Sequence, residues 1–248
     1  SYLSNRTLES LIFPDKQSFF ENNNIYVALV QNSNASVIAE KISLNQSSSQ
    51  YKYKNNILAL YLGVGIGAGL YLNELYEGTN GYAGEAGHTK APDCNLPKDL
   101  EYYNKLVRKN LIDDCCTCGS RDCYDYKIRT YVFEKKADQF CNMSAQQIRD
   151  YLENSPSNAK LLGEYFGNMI NTLTSWLDLD LIIFTGKIYK SMDLLLNYID
   201  MVRDQSPLRF NRNDCTILVS ELGSKSPAIG AAIYSYHKKY GLDLSWDY

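Results

Sequence analysis

The sequence predicts an α/β fold with a mixed β-sheet, and two observations support this prediction. In the second half of the chain, apolar runs typical of strands alternate with helical patterns, at about 178–185, 189–203, 214–220 and 225–239. Such alternation is typical of strand–helix–strand units. Upstream, apolar runs at about 56–63 and 69–73 flank a glycine-rich turn, which indicates a hairpin.

The composition is that of an ordinary globular protein. The 248 residues suffice for one large domain or two small ones. Hydrophobic residues make up 45% and charged residues 21%, and the net charge of −3 gives no electrostatic indication of nucleic-acid binding. No apolar run approaches the roughly 20 residues that span a bilayer, and the N-terminus lacks a signal-peptide pattern. We therefore expect a cytoplasmic protein without a membrane partner.

The N-terminal part of the chain predicts a strand that leads into a helix. Residues 1–20 indicate a short helix and a loop, and 24–30 indicate a buried strand. Helical spacing begins at Ala35, with Ser33 or Asn34 as the N-cap. Open α/β sheets place ligand contacts where a strand ends and a helix begins, so the polar residues 31–34 are candidate ligand contacts.

The middle of the chain predicts a polar linker followed by the hairpin and several helices. The linker covers 45–55. Helical spacing indicates helices at about 98–110, 126–133 and 157–176. A further helix begins after Ser144, because Ser144 and Gln147 have the spacing of a capping box.

The turn of the hairpin carries glycine at every second position, in the pattern Gly63, Gly65, Gly67 and Gly69. Glycines allow positive φ and bring backbone N–H groups close to an anion, so the turn is a candidate phosphate loop. A plain glycine-rich hairpin turn explains the same pattern equally well. The predicted strand–turn–strand order differs from the strand–loop–helix order of Walker and dinucleotide loops.

The cysteines predict a metal site. Four of the seven cysteines lie within nine residues, at 115–123, which suits metal ligation better than a disulfide scaffold. Cys116, Cys118 and Cys123 have a spacing that allows convergence on one tetrahedral ion, and zinc in a structural role is the first choice. His88 is the preferred fourth ligand, because the only other histidine, His237, falls on a helix face expected to be solvated. Cys94 and Cys115 remain alternatives.

Glu85 and His88 flank the glycines of one loop, and Asp125 follows the cysteine cluster. Carboxylates and an imidazole around a small pocket suit the vicinal hydroxyls of a sugar, because they form paired hydrogen bonds. The alternative is three solvated polar residues, which no spacing rule excludes.

These motifs together resemble the ROK (repressor, open reading frame, kinase) family. The resemblance is carried by residues 31–35, 65–69, 78–88, 116–125, 184–186 and 228–232. It implies an actin-like (ribonuclease H-like) sugar-kinase fold, mainly its C-terminal lobe, with a zinc-binding loop. Residues 1–45 would be a remnant of the first lobe. Residues 46–248 would form the C-terminal lobe, whose terminal helix returns to the first lobe.

The resemblance also implies the roles of individual residues. The zinc ligands would be His88, Cys116, Cys118 and Cys123. The sugar contacts would be Glu85, His88 and Asp125, joined by Gln31 and Asn32, which stand where the family has an Asn-Asp pair. Gly65, Gly67 and Gly186 would be remnants of the nucleotide loops.

Several departures from the family pattern point away from catalysis. The catalytic Asp aligns with Asn32, and an amide is unable to act as the general base. Val64 replaces a threonine of the phosphate loop, and Thr185 replaces a glycine of the adenosine loop, where its side chain would intrude on the nucleotide. The opening phosphate loop, most of the first lobe and a helix-turn-helix are not seen in this sequence.

The sequence therefore predicts a non-catalytic region of a ROK transcriptional regulator of carbohydrate metabolism that senses a sugar and forms a dimer. The expected partners are a sugar or sugar phosphate, a second copy of the chain, and DNA only through a domain outside this chain. Zinc is the expected cofactor and ATP is not expected to bind. The first alternative is an ATP-dependent sugar kinase of the glucokinase type, and the second is a degenerate member that only dimerises.

Overall fold

The computed structural model describes residues 22, 26–46, 50–206 and 215–242. Its sheet has five strands in the order β3-β2-β1-β4-β5. β1, β2 and β3 pair antiparallel, whereas β1, β4 and β5 pair parallel, so the predicted mixed sheet is confirmed. The strands are β1 (Asn56–Leu62), β2 (Ile66–Leu72), β3 (Glu74–Leu75), β4 (Leu181–Gly186) and β5 (Thr216–Val219).

Most helices of the described residues lie where the sequence predicts them, but the helix Ala137–Cys141 was not predicted. Ser144 and Gln147 form the predicted capping box, with Ser144 Oγ accepting from Gln147 N–H and Gln147 Oε1 accepting from Ser144 N–H. Shorter helical turns lie at 86–88, 128–132, 189–191 and 223–225. The helices are α1 (Asn32–Gln46), α2 (Leu100–Arg108), α3 (Tyr124–Lys127), α4 (Ala137–Cys141), α5 (Ala145–Glu153), α6 (Pro156–Leu177), α7 (Met192–Asp204) and α8 (Ser226–Tyr240).

Helices cover both faces of the sheet. Side chains alternate along β1: Leu58, Leu60 and Leu62 lie in the large core that includes α6 and α7. Ile57 and Ala59 lie in a smaller cluster with α1 on the opposite face. This two-sided burial explains why β1 reads as a continuous apolar run rather than an alternating one.

Two expectations for the N-terminal part were wrong. Residues 26–30 form no strand, because within the described residues no neighbouring strand pairs with them. Helix α1 begins at Asn32 and ends at Gln46, so Ser33 and Asn34 lie inside it, and the first part of the predicted linker is helical. The predicted helix and loop at 1–20 lie outside the described residues.

Helix α8 packs on α1, and this contact also corrects the expectation for His237. Gly230 of α8 lies directly against the carbonyl of Ala35 in α1, so any Cβ at position 230 would overlap it. His237, expected on a solvated face, is buried near Glu74 and Leu75.

Within the described residues, no helix is long and apolar enough to cross a membrane.

A buried polar network joins α1 to the turn between β5 and α8. Ser220 Oγ donates to Glu40 Oε1, and Ser226 Oγ donates to Ser36 Oγ at 3.1 Å. Burial is the main cause that raises the pKa of Glu40 from 4.5 to about 7. The folded state therefore favours the protonated carboxyl more than the unfolded chain does.

The raised pKa of Glu40 predicts a loss of stability as pH rises. The contribution is fully present below pH 4.5 and is lost as pH passes through about 7. A shift of this size corresponds to up to about 3 kcal/mol of unfolding free energy. Chemical unfolding between pH 5 and pH 8 should show this decline in the unmodified protein and a flatter profile in Glu40→Gln.

The matched control is Glu101→Gln, since Glu101 is an exposed glutamate on α2 that pairs with exposed Arg108. Its pH profile should follow that of the unmodified protein. Parallel profiles for Glu40→Gln and Glu101→Gln would contradict the assigned role of Glu40.

Candidate functional site

The loop that carries Glu85 and His88 is anchored on strand β2. Ala68 N–H donates to Gly84 O at 2.8 Å. Gly84 has φ of +88°, and a Cβ there would overlap the Ala68 carbonyl, so only glycine suits the position. The following turn, Ala86–His88, places the side chains of Glu85 and His88 on the same side of the loop, one helical turn apart.

Asp125 braces this loop from the opposite side. Its Oδ1 accepts a hydrogen bond from Ile66 N–H at 2.7 Å. The carboxylate fills the space beside Gly65 and Gly87, where any Cβ would overlap it. Only 9% of the Asp125 side chain is exposed, and this burial is the main cause that raises its pKa. Asp125 thus joins the hairpin turn, the His88 loop and α3.

The predicted sugar contacts form a continuous polar row. Gln31 Nε2 donates to Glu85 Oε1 at 3.1 Å. Glu85 Oε2 lies 3.8 Å from His88 Nε2, and Asp125 Oδ2 lies 3.7 Å from His88 Nδ1. Asn32 follows Gln31 as the first residue of α1 and is exposed. The structure therefore brings together Gln31, Glu85, His88 and Asp125, with Glu85 and His88 accessible to a ligand.

Four ligand atoms converge beside this row. Those of His88, Cys116, Cys118 and Cys123 all lie within 4.8 Å of one another. His88 Nδ1 is 3.6 Å from Cys116 Sγ, and Cys118 Sγ is 3.8 Å from Cys123 Sγ. Three thiols and one imidazole are a donor set that suits a tetrahedral metal ion, so the residues fit the expected group. Neither alternative ligand, Cys94 or Cys115, belongs to this group.

The long segment between His88 and the cysteines does not separate them, because its two ends are joined. Lys90 and Cys123 form an isolated β-bridge, and Ala91 N–H donates to Asp122 O at 2.8 Å. Buried Lys127 donates from its ammonium group to Ala91 O at 3.1 Å. Sequence reasoning missed Lys127, and no local pattern marks a buried lysine that holds a loop closed.

The thiols of this group differ in their surroundings. Cys123 is the N-cap of α3, where its Sγ accepts from Tyr126 N–H at 3.5 Å. Burial raises the pKa of Cys123 to about 12. The backbone hydrogen bond from Ser120 is the main cause that lowers the pKa of Cys118. Because metals bind thiolates, an ion has to displace the proton of Cys123.

The glycines of the hairpin do not have the expected role. We expected positive φ angles at Gly63, Gly65, Gly67 and Gly69. None of these four glycines has a positive φ, so this expectation was wrong. Gly67 and Gly69 lie inside β2. They allow close approach of α1: a Cβ at Gly67 would lie 3.0 Å from Ser33 Cβ, and one at Gly69 would overlap Ser33 O. These two glycines therefore place Gln31 and Asn32 beside the site.

The expectation that Thr185 intrudes on a nucleotide is also wrong. Thr185 is fully buried, and its Oγ1 donates to Gly223 O at 2.9 Å and lies 2.7 Å from Ser226 Oγ. Gly186 follows with φ of +75°. Val64 at the tip of the hairpin is 53% exposed and offers no hydroxyl to a ligand. Sequence reasoning missed Tyr61, whose ring lies between Gly63 and Gly186.

The chain belongs to the ROK family, whose family model matches residues 4–238. It is similar to the xylose repressor of Bacillus spizizenii, with 27% identity over an alignment of 223 positions that covers 87% of this chain and 52% of that relative. The match to the Staphylococcus xylosus xylose repressor has 34% identity over 110 residues, 44% of this chain and 25% of that one. The expected likeness to the regulator branch is confirmed. The chain spans about half the length of the Bacillus relative.

Solved structures confirm the expected actin-like sugar-kinase fold. A ROK family transcriptional regulator, a homolog of the E. coli MLC protein, superposes with a TM-score of 0.65 and 18% identity, over 90% of this chain and 55% of that one. A ROK family glucokinase from Streptomyces griseus, solved with glucose and AMPPNP, superposes with a TM-score of 0.62 and 19% identity, over 90% of this chain and 72% of that one. At these identities the likeness concerns the fold alone.

The converging ligand atoms predict one metal ion per chain. Cys118→Ser should lower the metal affinity by about a hundredfold or more. Loss of a residue that only hydrogen-bonds to a metal ligand already costs about tenfold to a hundredfold, and loss of a ligand should cost more. Titration with Co²⁺ or Zn²⁺ against a competing chelator measures the affinity, and Co²⁺ absorption reports tetrahedral geometry.

The matched control is Cys141→Ser, because Cys141 is likewise exposed but lies outside the ligand group. Its metal affinity should equal that of the unmodified protein. Equal affinities for the two serine variants would contradict the ligand role of Cys118.

Proposed function

We propose that this chain is the non-catalytic, sugar-sensing and dimerising region of a ROK transcriptional regulator of carbohydrate metabolism. One observation carries the proposal: the polar row Gln31–Glu85–His88–Asp125 forms a candidate sugar site, but α1 begins beside it with the amide Asn32. An amide is not basic enough to take a proton from a sugar hydroxyl. The site is therefore suited to binding without phosphoryl transfer.

The row suits a sugar because its groups differ in hydrogen-bonding capacity. Carboxylates accept, the amide of Gln31 both donates and accepts, and the imidazole adds one further polar nitrogen. Such a set orients a ligand with adjacent hydroxyls. We assign sugar contacts to Glu85, His88, Asp125, Gln31 and Asn32. Because the curated relatives are xylose repressors, xylose is the first sugar to test, followed by hexoses, amino sugars and their phosphates.

We assign a structural zinc ion to His88, Cys116, Cys118 and Cys123. Four protein ligands complete a tetrahedral zinc site and leave no open position for catalysis. The ion would supply a fixed anchor for the His88 loop. His88 belongs to both groups, so metal binding would orient its imidazole and the neighbouring Glu85 toward the sugar.

The whole protein would act through a change of lobe or subunit arrangement. A ligand that binds one arrangement more tightly shifts the population toward it. We propose that residues 46–248 form the C-terminal lobe, that 1–45 belong to the first lobe, and that the dimer carries DNA-binding domains outside this chain. Cytoplasmic localisation is consistent with the seven cysteines, all described and all free thiols.

Binding of sugars provides the test of the proposed function. In a thermal-shift and calorimetric panel of xylose, glucose, N-acetylglucosamine and their phosphates, at least one sugar should bind. Glu85→Gln should lower the affinity for that sugar by about tenfold or more, because an uncharged amide replaces a charged hydrogen-bond acceptor in the polar row. Glu101→Gln should bind like the unmodified protein.

Two outcomes would contradict the proposal. ATP-dependent phosphorylation of any sugar in the panel would identify the chain as part of a ROK sugar kinase. This is the alternative function, and the fold that the chain shares with the glucokinase is compatible with it. No binding by any sugar would favour a member that only dimerises. Asn32→Asp makes the phosphorylation test sharper, since it restores a carboxylate at the position of the general base.

A further inference from the structure

The carboxyl ends of β1 and β4 lie side by side at one edge of the sheet, and we call the space between the two turns that follow them the crevice. The two strands are parallel neighbours, and Leu62 pairs with Gly186 where both end. A glycine stands at each turn, Gly63 after β1 and Gly186 at the end of β4. In open α/β sheets this edge is where phosphate-bearing ligands bind, and glycines at such turns allow a phosphate to approach the backbone.

The ring of Tyr61 lies in this crevice. A Cβ at Gly63 would lie 2.5 Å from Tyr61 Cε1 and 3.2 Å from its Cζ and hydroxyl oxygen. A Cβ at Gly186 would lie 2.9 Å from Cδ2 and Cε2, on the opposite edge of the same ring. One aromatic ring therefore lies between the two turns and contacts both. Burial is the main cause that raises the pKa of the Tyr61 hydroxyl, in accord with its position inside the crevice.

Three hydrogen-bond donors at the two turns are also occupied. Gly63 N–H donates to Gly65 O at 2.9 Å, and Lys187 N–H donates to Leu62 O at 2.8 Å. The Lys187 ammonium group donates to the carbonyls of Phe140 and Cys141. A phosphate needs donors of this kind at hydrogen-bond distance. These three donors already have acceptors within the chain.

We propose that Tyr61 closes the nucleotide crevice of this fold, and that its ring excludes nucleoside triphosphates from the space between Gly63 and Gly186. This inference rests on the proposed loss of kinase chemistry, to which it gives a structural cause separate from Asn32. Asn32 lies beside the sugar contacts and affects proton removal, whereas Tyr61 affects nucleotide entry. The two causes are separable, because nucleotide binding is measurable without sugar and without phosphoryl transfer.

Nucleotide binding by variants of Tyr61 provides the test. Calorimetry with Mg²⁺ and the non-hydrolysable analogue AMPPNP should detect no binding to the unmodified protein at millimolar nucleotide. Tyr61→Thr should bind at least about tenfold more tightly than the unmodified protein, a difference of ~1.4 kcal/mol. Threonine suits a strand, so this variant should keep the fold. Tyr61→Val is a second variant of the same kind, and circular dichroism checks that each is folded.

Tyr61→Phe is the matched control, because it keeps the ring and removes only the hydroxyl. It should exclude AMPPNP as the unmodified protein does. Separate titrations with inorganic triphosphate and with adenosine show which part of the nucleotide the ring excludes. Tyr61→Thr should increase the affinity for triphosphate more than the affinity for adenosine.

Three results would overturn the inference. Binding of AMPPNP by the unmodified protein, lost in Tyr61→Thr, would make the ring a stacking surface for adenine. Binding by the unmodified protein and Tyr61→Thr alike would show that the ring excludes nothing. No binding by folded Tyr61→Thr and Tyr61→Val would show that another feature excludes the nucleotide. None of these results alters the sugar-binding test, so the inference and the proposed function fail separately.

Discussion

The carboxylate of Asp125 accepts a hydrogen bond from Ile66 N–H and lies against Gly65 and Gly87. This contact joins three separate segments: the hairpin turn, the loop that carries His88, and helix α3 behind the cysteines. Because a Cβ at either glycine would overlap the carboxylate, the three segments approach this closely only with glycine at both positions. The polar row and the candidate metal ligands both depend on this contact for their arrangement, since His88 belongs to each group.

The site is framed by close contacts on one side and open on the other. Its framed side consists of β2, the Lys90–Cys123 bridge and the buried ammonium of Lys127, and these contacts place His88 beside the cysteines. Its open side carries Glu85 and His88, whose side chains are 43% and 33% exposed. A buried frame with exposed polar groups is the arrangement that binding sites favour, because the ligand contacts are held in place before binding. The proposed metal would strengthen the frame rather than take part in chemistry.

Much of this site was predictable because its signals are local. The spacing of Cys116, Cys118 and Cys123 and the capping box at Ser144 each depend on a few neighbouring residues, and the hairpin on one short stretch of chain. The sequence also shows the positions of the hairpin glycines, but not why glycine is needed there. Gly67 and Gly69 are required by Ser33 of α1, which lies far away in sequence.

The remaining features depend on long-range contacts that no local pattern reports. Residues 26–30 have the composition of a strand but lack a neighbouring strand within the described residues. Thr185 is buried because Gly223 and Ser226 lie beside it, and Tyr61 lies between turns more than a hundred residues apart in sequence. The position of His88 beside the cysteines likewise depends on the bridge between Lys90 and Cys123, which the sequence does not show.

The central claim is that one frame serves both the metal and the sugar through His88. The most direct test is the affinity of the protein for its best-binding sugar, measured by calorimetry in the zinc-loaded form and after removal of zinc with a chelator. The account predicts weaker sugar binding by about tenfold or more without zinc, restored when zinc is added back. Equal sugar affinity in the two forms, with the fold intact in both, would contradict it.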